Sequence, residues 1–138
     1  MSGEQSESSA RPHIFFETLV RPSSSNHWLV APQGFPGNPD ETAPGYPVPV
    51  ERLQNAFEDV IGALKSVRQV NRDGGLTRYV DKTALFHFKD DIRVQFLSQV
   101  PGNSSLAMYS ASRIGFLDLG ANRRRLQRWL GLLSDRLA

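Results

Sequence analysis

The 138-residue sequence contains no cysteine. Disulfide cross-links, thiolate metal sites and a cysteine nucleophile are therefore excluded together. Long hydrophobic runs are missing as well: no stretch of the chain approaches the roughly 20 apolar residues of a membrane-spanning helix. The opening MSGEQSESSARP is polar and acidic, without the basic start and apolar stretch of a secretory leader. Ser2 also stands where a myristoylated chain has glycine. These absences point to a cytoplasmic protein with no transmembrane segment. Charge of one sign is scarce: 16 basic residues face 14 acidic ones for a net +2, which gives no strong nucleic-acid signal. The Walker and Rossmann glycine patterns, the HExxH zinc pair and the GxSxG nucleophile turn are absent from the chain. His13, His27 and His87 lie far apart, and His87 with Asp90 and Asp91 reads as a solvated turn. Neither a cofactor nor a metal site is expected, and no residue qualifies as catalytic on pattern alone.

What is present describes one domain. Residues 1–12 are rich in Ser and Glu with little to bury, and read as a flexible polar tail. Residues 13–138 form a single domain. His13-Ile-Phe-Phe-Glu-Thr-Leu-Val20 is β-branched and aromatic, a strand signature. Residues 22–49 hold Pro22, Pro32, Pro36, Pro39, Pro44, Pro47 and Pro49, so no helix runs through them. Trp28-Leu-Val-Ala31 is the one strand-like piece, and Trp28, Phe35 and Tyr46 supply anchors for an ordered, proline-rich wrap.

Val50, Leu53, Phe57, Val60, Ile61 and Leu64 recur at helical spacing behind Pro49, which predicts a helix ending near Lys65 or Ser66. Two alternating segments, 67–72 and 76–82, flank Asp73-Gly74-Gly75, a hairpin signal. Lys89-Asp90-Asp91 reads as a turn opening the next strand, in which Ile92, Val94 and Phe96 alternate with polar residues. A last strand over 106–113 places Leu106, Met108, Ser110 and Ser112 on one face and Ala107, Tyr109, Ala111 and Arg113 on the other. A second helix is predicted over 119–137, with Leu126, Trp129, Leu130, Leu133 and Leu137 as its stripe and Asp118 placed to cap it. The sum is an α+β fold: an antiparallel β-sheet of about five strands with two amphipathic helices packed on one face.

The run Ser110-Ala-Ser112-Arg113-Ile-Gly115-Phe-Leu-Asp118-Leu119-Gly120-Ala-Asn122-Arg123-Arg-Arg125, closing on Trp129-Leu130, resembles the signature of the Domain of Unknown Function 1499 family. Arg21-Pro22-Ser23-Ser24-Ser25-Asn26, Ala31-Pro32 and Phe88-Lys-Asp90-Asp91 are similar to stretches of the same family. The resemblance covers roughly residues 13–137 and brings no established activity with it.

The motif gathers one polar constellation. Asn122 shares the stripe of Leu126 and Trp129, and a buried amide must find partners because an unpaired one costs about 1–3 kcal/mol. Arg113, Asp118 and Arg125 approach the same strand–helix loop, with Ser110 and Ser112 at its start. Two readings stand open. In one the group is an internal clasp, Asp118 pairing with Arg113 or Arg125. In the other, Ser110, Ser112, Arg113, Asp118, Asn122 and Arg125 line a pocket for a small anionic ligand, since guanidinium forks, hydroxyls and helix amides suit phosphate or carboxylate.

A non-catalytic binding or scaffold domain, with an anionic small molecule or a protein as partner, is the leading functional expectation. A hydrolase using Ser110 or Ser112 with Asp118 and a histidine such as His27 is the alternative. A third reading uses the arginines of the last helix. The chain from Val70 onward holds 11 basic and 6 acidic residues against 5 and 8 before it, so that helix is a candidate for weak binding to nucleic acid or an anionic surface.

Overall fold

A computed structural model describes residues 26–73, 75–82, 88–113 and 120–138. The predicted tail and the predicted strand at 13–20 lie outside the described residues. The chain builds β1 (His27–Ala31), β2 (Glu41–Thr42), α1 (Val50–Gly62), β3 (Val67–Asp73), β4 (Leu76–Lys82), β5 (Lys89–Ser98), β6 (Ser104–Ser112) and α2 (Ala121–Leu137). The strands form one six-stranded sheet in the order β2-β1-β6-β5-β4-β3, antiparallel except for the short parallel β1–β2 pair. The expected α+β architecture is present, with six strands in place of about five.

Local chemistry explains most boundaries. Pro49 precedes α1 in an extended conformation, and its missing amide costs nothing in the first turn. Leu53, Ala56, Phe57 and Ile61 form the buried stripe of α1, which stops at Gly62, a turn earlier than its apolar spacing suggests. The β3–β4 hairpin closes at Gly75, whose φ of +86° falls where side chains are strained. The first turn of α2 starts behind Gly120 at φ +81°, and a Cβ there would meet the Arg124 guanidinium at 3.2 Å.

The sheet buries its inner face under the helices and only part of its outer face. On the helix-covered inner face, Phe57 meets Phe96 edge-on at 5.3 Å between centroids and Trp129 at 5.9 Å, while Trp129 meets Tyr79 at 5.7 Å. Such edge-to-face pairs add to the burial of large rings. The outer face carries a smaller apolar cluster of Leu29, Ala31, Phe35, Leu76, Leu97 and Tyr109. Gln95, expected on a solvated face of a half-buried strand, is fully buried, its ladder neighbours Leu76 and Ala107 both belonging to this cluster. Segment 32–49 sends Phe35 to the outer cluster and Ala43 and Tyr46 to the inner one. Tyr46 also bridges to Ser104 through paired backbone hydrogen bonds.

Candidate functional site

Strand β6 alternates, so Ser110 and Ser112 share the inner face with Leu106 and Met108 and look toward α2. Asn122 sits in the first turn of α2 on its buried stripe, with no exposed surface. The Ser110 hydroxyl donates to Asn122 Oδ1 at 2.5 Å. Asn122 Nδ2 donates to the Asn26 carbonyl at 2.9 Å and to Ser112 Oγ at 3.0 Å. One amide thereby ties α2 to β6 and to the entry of β1.

Arg125, one turn on, extends this network. Its Nη1 donates to Ser110 Oγ at 3.0 Å and to Asn122 Oδ1 at 2.9 Å. Its Nε donates to Asp81 at 2.7 Å and its Nη2 to Asp90 at 2.5 Å. All three charged side chains are largely buried. Asp81 and Asp90 stand directly opposite in the β4–β5 register, a like-charge pair that needs an intervening cation. Of the residues singled out in the sequence, Ser110, Ser112, Asn122 and Arg125 meet here, and Asp118 lies outside the described residues. The two aspartates were missed. Asp81 follows Tyr79 by two on an alternating strand, so its inward direction was legible. Its partner, 44 residues away, was not. Lys89-Asp90-Asp91 is not a turn but the start of β5, because the Arg125 guanidinium answers the carboxylate that Asp90 turns inward.

Arg113 lies elsewhere. It donates from Nε and Nη2 to the Asp91 carboxylate at 2.8 and 2.9 Å, which raises its pKa, the hydrogen bonds first and the charge second. Both partners are about half exposed, so the pair is weakly stabilising. Arg113, Asp91, Arg78 and Arg93 line an outer-face groove of about 310 Å³ with Val70 and Val80. Arg78 and Arg93 oppose each other directly across β4–β5, and neither has a carboxylate partner among the described residues.

Residues 9–133 match the family model described as protein of unknown function (DUF1499). The chain is a DUF1499 protein. No curated protein matches this DUF1499 chain. Solved structures similar to it include the crystal structure of Ara h 8.0201, at 12% identity and TM-score 0.45, covering 70% of this chain and 94% of that one. TTHA0849 from Thermus thermophilus is similar at 12% identity and TM-score 0.38, over 80% of this chain and 96% of that one. CV1439 from Chromobacterium violaceum is similar at 14% identity and TM-score 0.38, over 70% and 96%.

The hydrolase constellation is not assembled among the described residues of this DUF1499 protein. Ser110 is fully buried and committed to Asn122 and Arg125. His27 packs against Tyr109 on the outer face, across the sheet from Ser110. The arginines of α2 are also largely engaged. Arg123 covers the Trp28 ring at 5.3 Å, Arg125 belongs to the buried network and Arg136 pairs with Asp59 at 2.9 Å. No described helix is long and apolar enough to cross a membrane. Among the described residues no group of three metal-binding side chains is gathered.

Proposed function

We propose that this DUF1499 chain is a non-catalytic binding domain of the cytoplasm for a small ligand carrying phosphate or carboxylate groups, held in the groove of Arg78, Arg93 and Arg113. The observation that carries this reading is the Arg78–Arg93 rung. Two arginines oppose each other across adjacent strands with no described carboxylate between them, an arrangement that costs stability unless an anion occupies it. Arginine forks match the planar oxygens of phosphate and carboxylate, and the neighbouring Arg113 is held in place by Asp91. Ser110, Ser112, Asn122 and Arg125 serve as the clasp that fixes α2 on the sheet, their polar atoms being occupied by one another.

Thermal unfolding with and without inorganic phosphate and citrate tests this division. The parent chain is expected to melt higher with the anion, and Arg78→Ala and Arg93→Ala to lose that shift while melting no lower than the parent without it. Asn122→Ala is expected to melt lower yet keep the shift. An anion response that survives in both arginine variants, or is absent from the parent, removes the groove from consideration.

A further inference from the structure

The cationic character of the outer face extends beyond this groove. Lys82 and Lys89 oppose each other further along the same ladder, on the same face as Arg78 and Arg93. With Lys65 and Arg68 they line a second groove of about 260 Å³ that shares Val80 with the first. Seven basic side chains thus border the two grooves against one carboxylate, Asp91, and that carboxylate is engaged by Arg113. Lys65, Arg68, Arg78, Lys82, Lys89 and Arg93 have no side-chain ion partner among the described residues.

Strand spacing makes this a patch and not a line. From β3 to β6 it spans three inter-strand steps, about 14 Å, and from Arg78 to Lys82 four residues of extended chain, about 13 Å. A single phosphate neutralises only part of six uncompensated cations spread over such an area. Of the described large hydrophobic residues that stand exposed, Val70, at 48%, lines the first groove. A strand of nucleic acid would call for a row of stacking aromatics, whereas Tyr109 on the same face is buried.

We infer that the basic end of the outer sheet face docks on an anionic phospholipid surface, the lysines and arginines meeting headgroup phosphates and carboxylates while Val70 dips into the interface. This inference rests on the reading of the Arg78–Arg93 groove as an anion site and names the surface that presents the anions. Juxtaposed basic residues gain roughly a factor of five each from such a surface, and the attraction is screened by salt.

Co-sedimentation of the full chain with vesicles of phosphatidylcholine alone, and of phosphatidylcholine with phosphatidylserine, reads this directly. Binding is expected to the phosphatidylserine vesicles alone and to weaken as salt is added. Lys82→Gln/Lys89→Gln lies outside the first groove and is expected to weaken vesicle binding about 25-fold, with a melting temperature no lower than the parent's and an unchanged phosphate shift. Val70→Ser is expected to weaken it a few-fold without altering the salt dependence. A phosphate shift with no vesicle binding overturns the surface and leaves the groove. Absence of both overturns the two readings together. Equal binding to neutral vesicles, indifference to the double substitution, or binding to a single-stranded oligonucleotide in place of vesicles each overturns the lipid surface.

Discussion

The β4–β5 ladder opposes like charges on three rungs, and its two faces treat them differently. On the inner face Asp81 stands against Asp90, and α2 delivers Arg125 between them at 2.7 and 2.5 Å. On the outer face Arg78 stands against Arg93 and Lys82 against Lys89, with no described carboxylate placed between either pair. The same local pattern therefore has two outcomes. Where a helix covers the sheet, the repulsion is resolved inside the chain and the group becomes a fastener. Where no described helix covers it, the repulsion is left for solvent, salt or a partner, which is why the outer face and not the conspicuous polar loop is read as the binding surface.

The largest test of this contrast is Arg125→Met. Removing one member of a buried charge group leaves the others uncompensated, so a loss of about 3–5 kcal/mol in urea unfolding is expected. A loss no larger than that of an exposed arginine would erase the distinction between the faces. Asn122→Ala comes next, at about 1–3 kcal/mol, since the Asn26 carbonyl and the Ser110 and Ser112 hydroxyls lose their shared partner.

Tyr79→Phe probes the inner face from the other direction. The Tyr79 hydroxyl is buried with no hydrogen-bond partner among the described residues, so the substitution is expected to stabilise by about 1 kcal/mol at neutral pH. Burial pushes the Tyr79 and Tyr46 phenols from 10 up to about 12, with Arg72 pulling Tyr79 slightly back. Above pH 10 the unfolded chain releases tyrosine protons that the folded chain retains. The unfolded state then binds fewer protons, and stability falls as pH rises from 10 to about 12. In Tyr79→Phe that alkaline decline should be shallower, read from melting temperature against pH.

The smallest effect belongs to the outer face. Arg93→Gln relieves a direct cross-strand repulsion and is expected to stabilise by about 0.2–1 kcal/mol at low salt, with the gain fading as salt is added. A loss of several kcal/mol instead would mean that Arg93 is a structural residue like Arg125.

How much of this was legible beforehand varied with the range of the interaction. The stripe of Leu53, Phe57 and Ile61, the glycine hairpin and the two faces of β6 depend on neighbours within a few residues, and their periods showed them. Asn122 was legible as a buried polar residue because it falls on the stripe of Leu126 and Trp129. Asp90 was misjudged as part of a turn, because a charged pair after lysine has turn chemistry unless a distant cation claims it. The separation of Arg113 from Ser112 was legible in the strand alternation, which sends the two to opposite faces, but the carboxylate that Arg113 meets was not, since only the pairing with β5 supplies Asp91.

The sequence by itself determined the α+β class, the amphipathic faces of both helices, the exclusion of thiol chemistry and the need for Asn122 to find partners. These follow from composition and from periods of two and 3.6 residues, which act locally. The tertiary structure decided which charges meet. Sheet register and the seating of α2 bring Arg125 to aspartates 35 and 44 residues away and leave Arg78, Arg93, Lys82 and Lys89 gathered on a face that no described helix covers. Charge pairing depends on distances of a few ångströms between distant segments, and strand order and register alone set those distances.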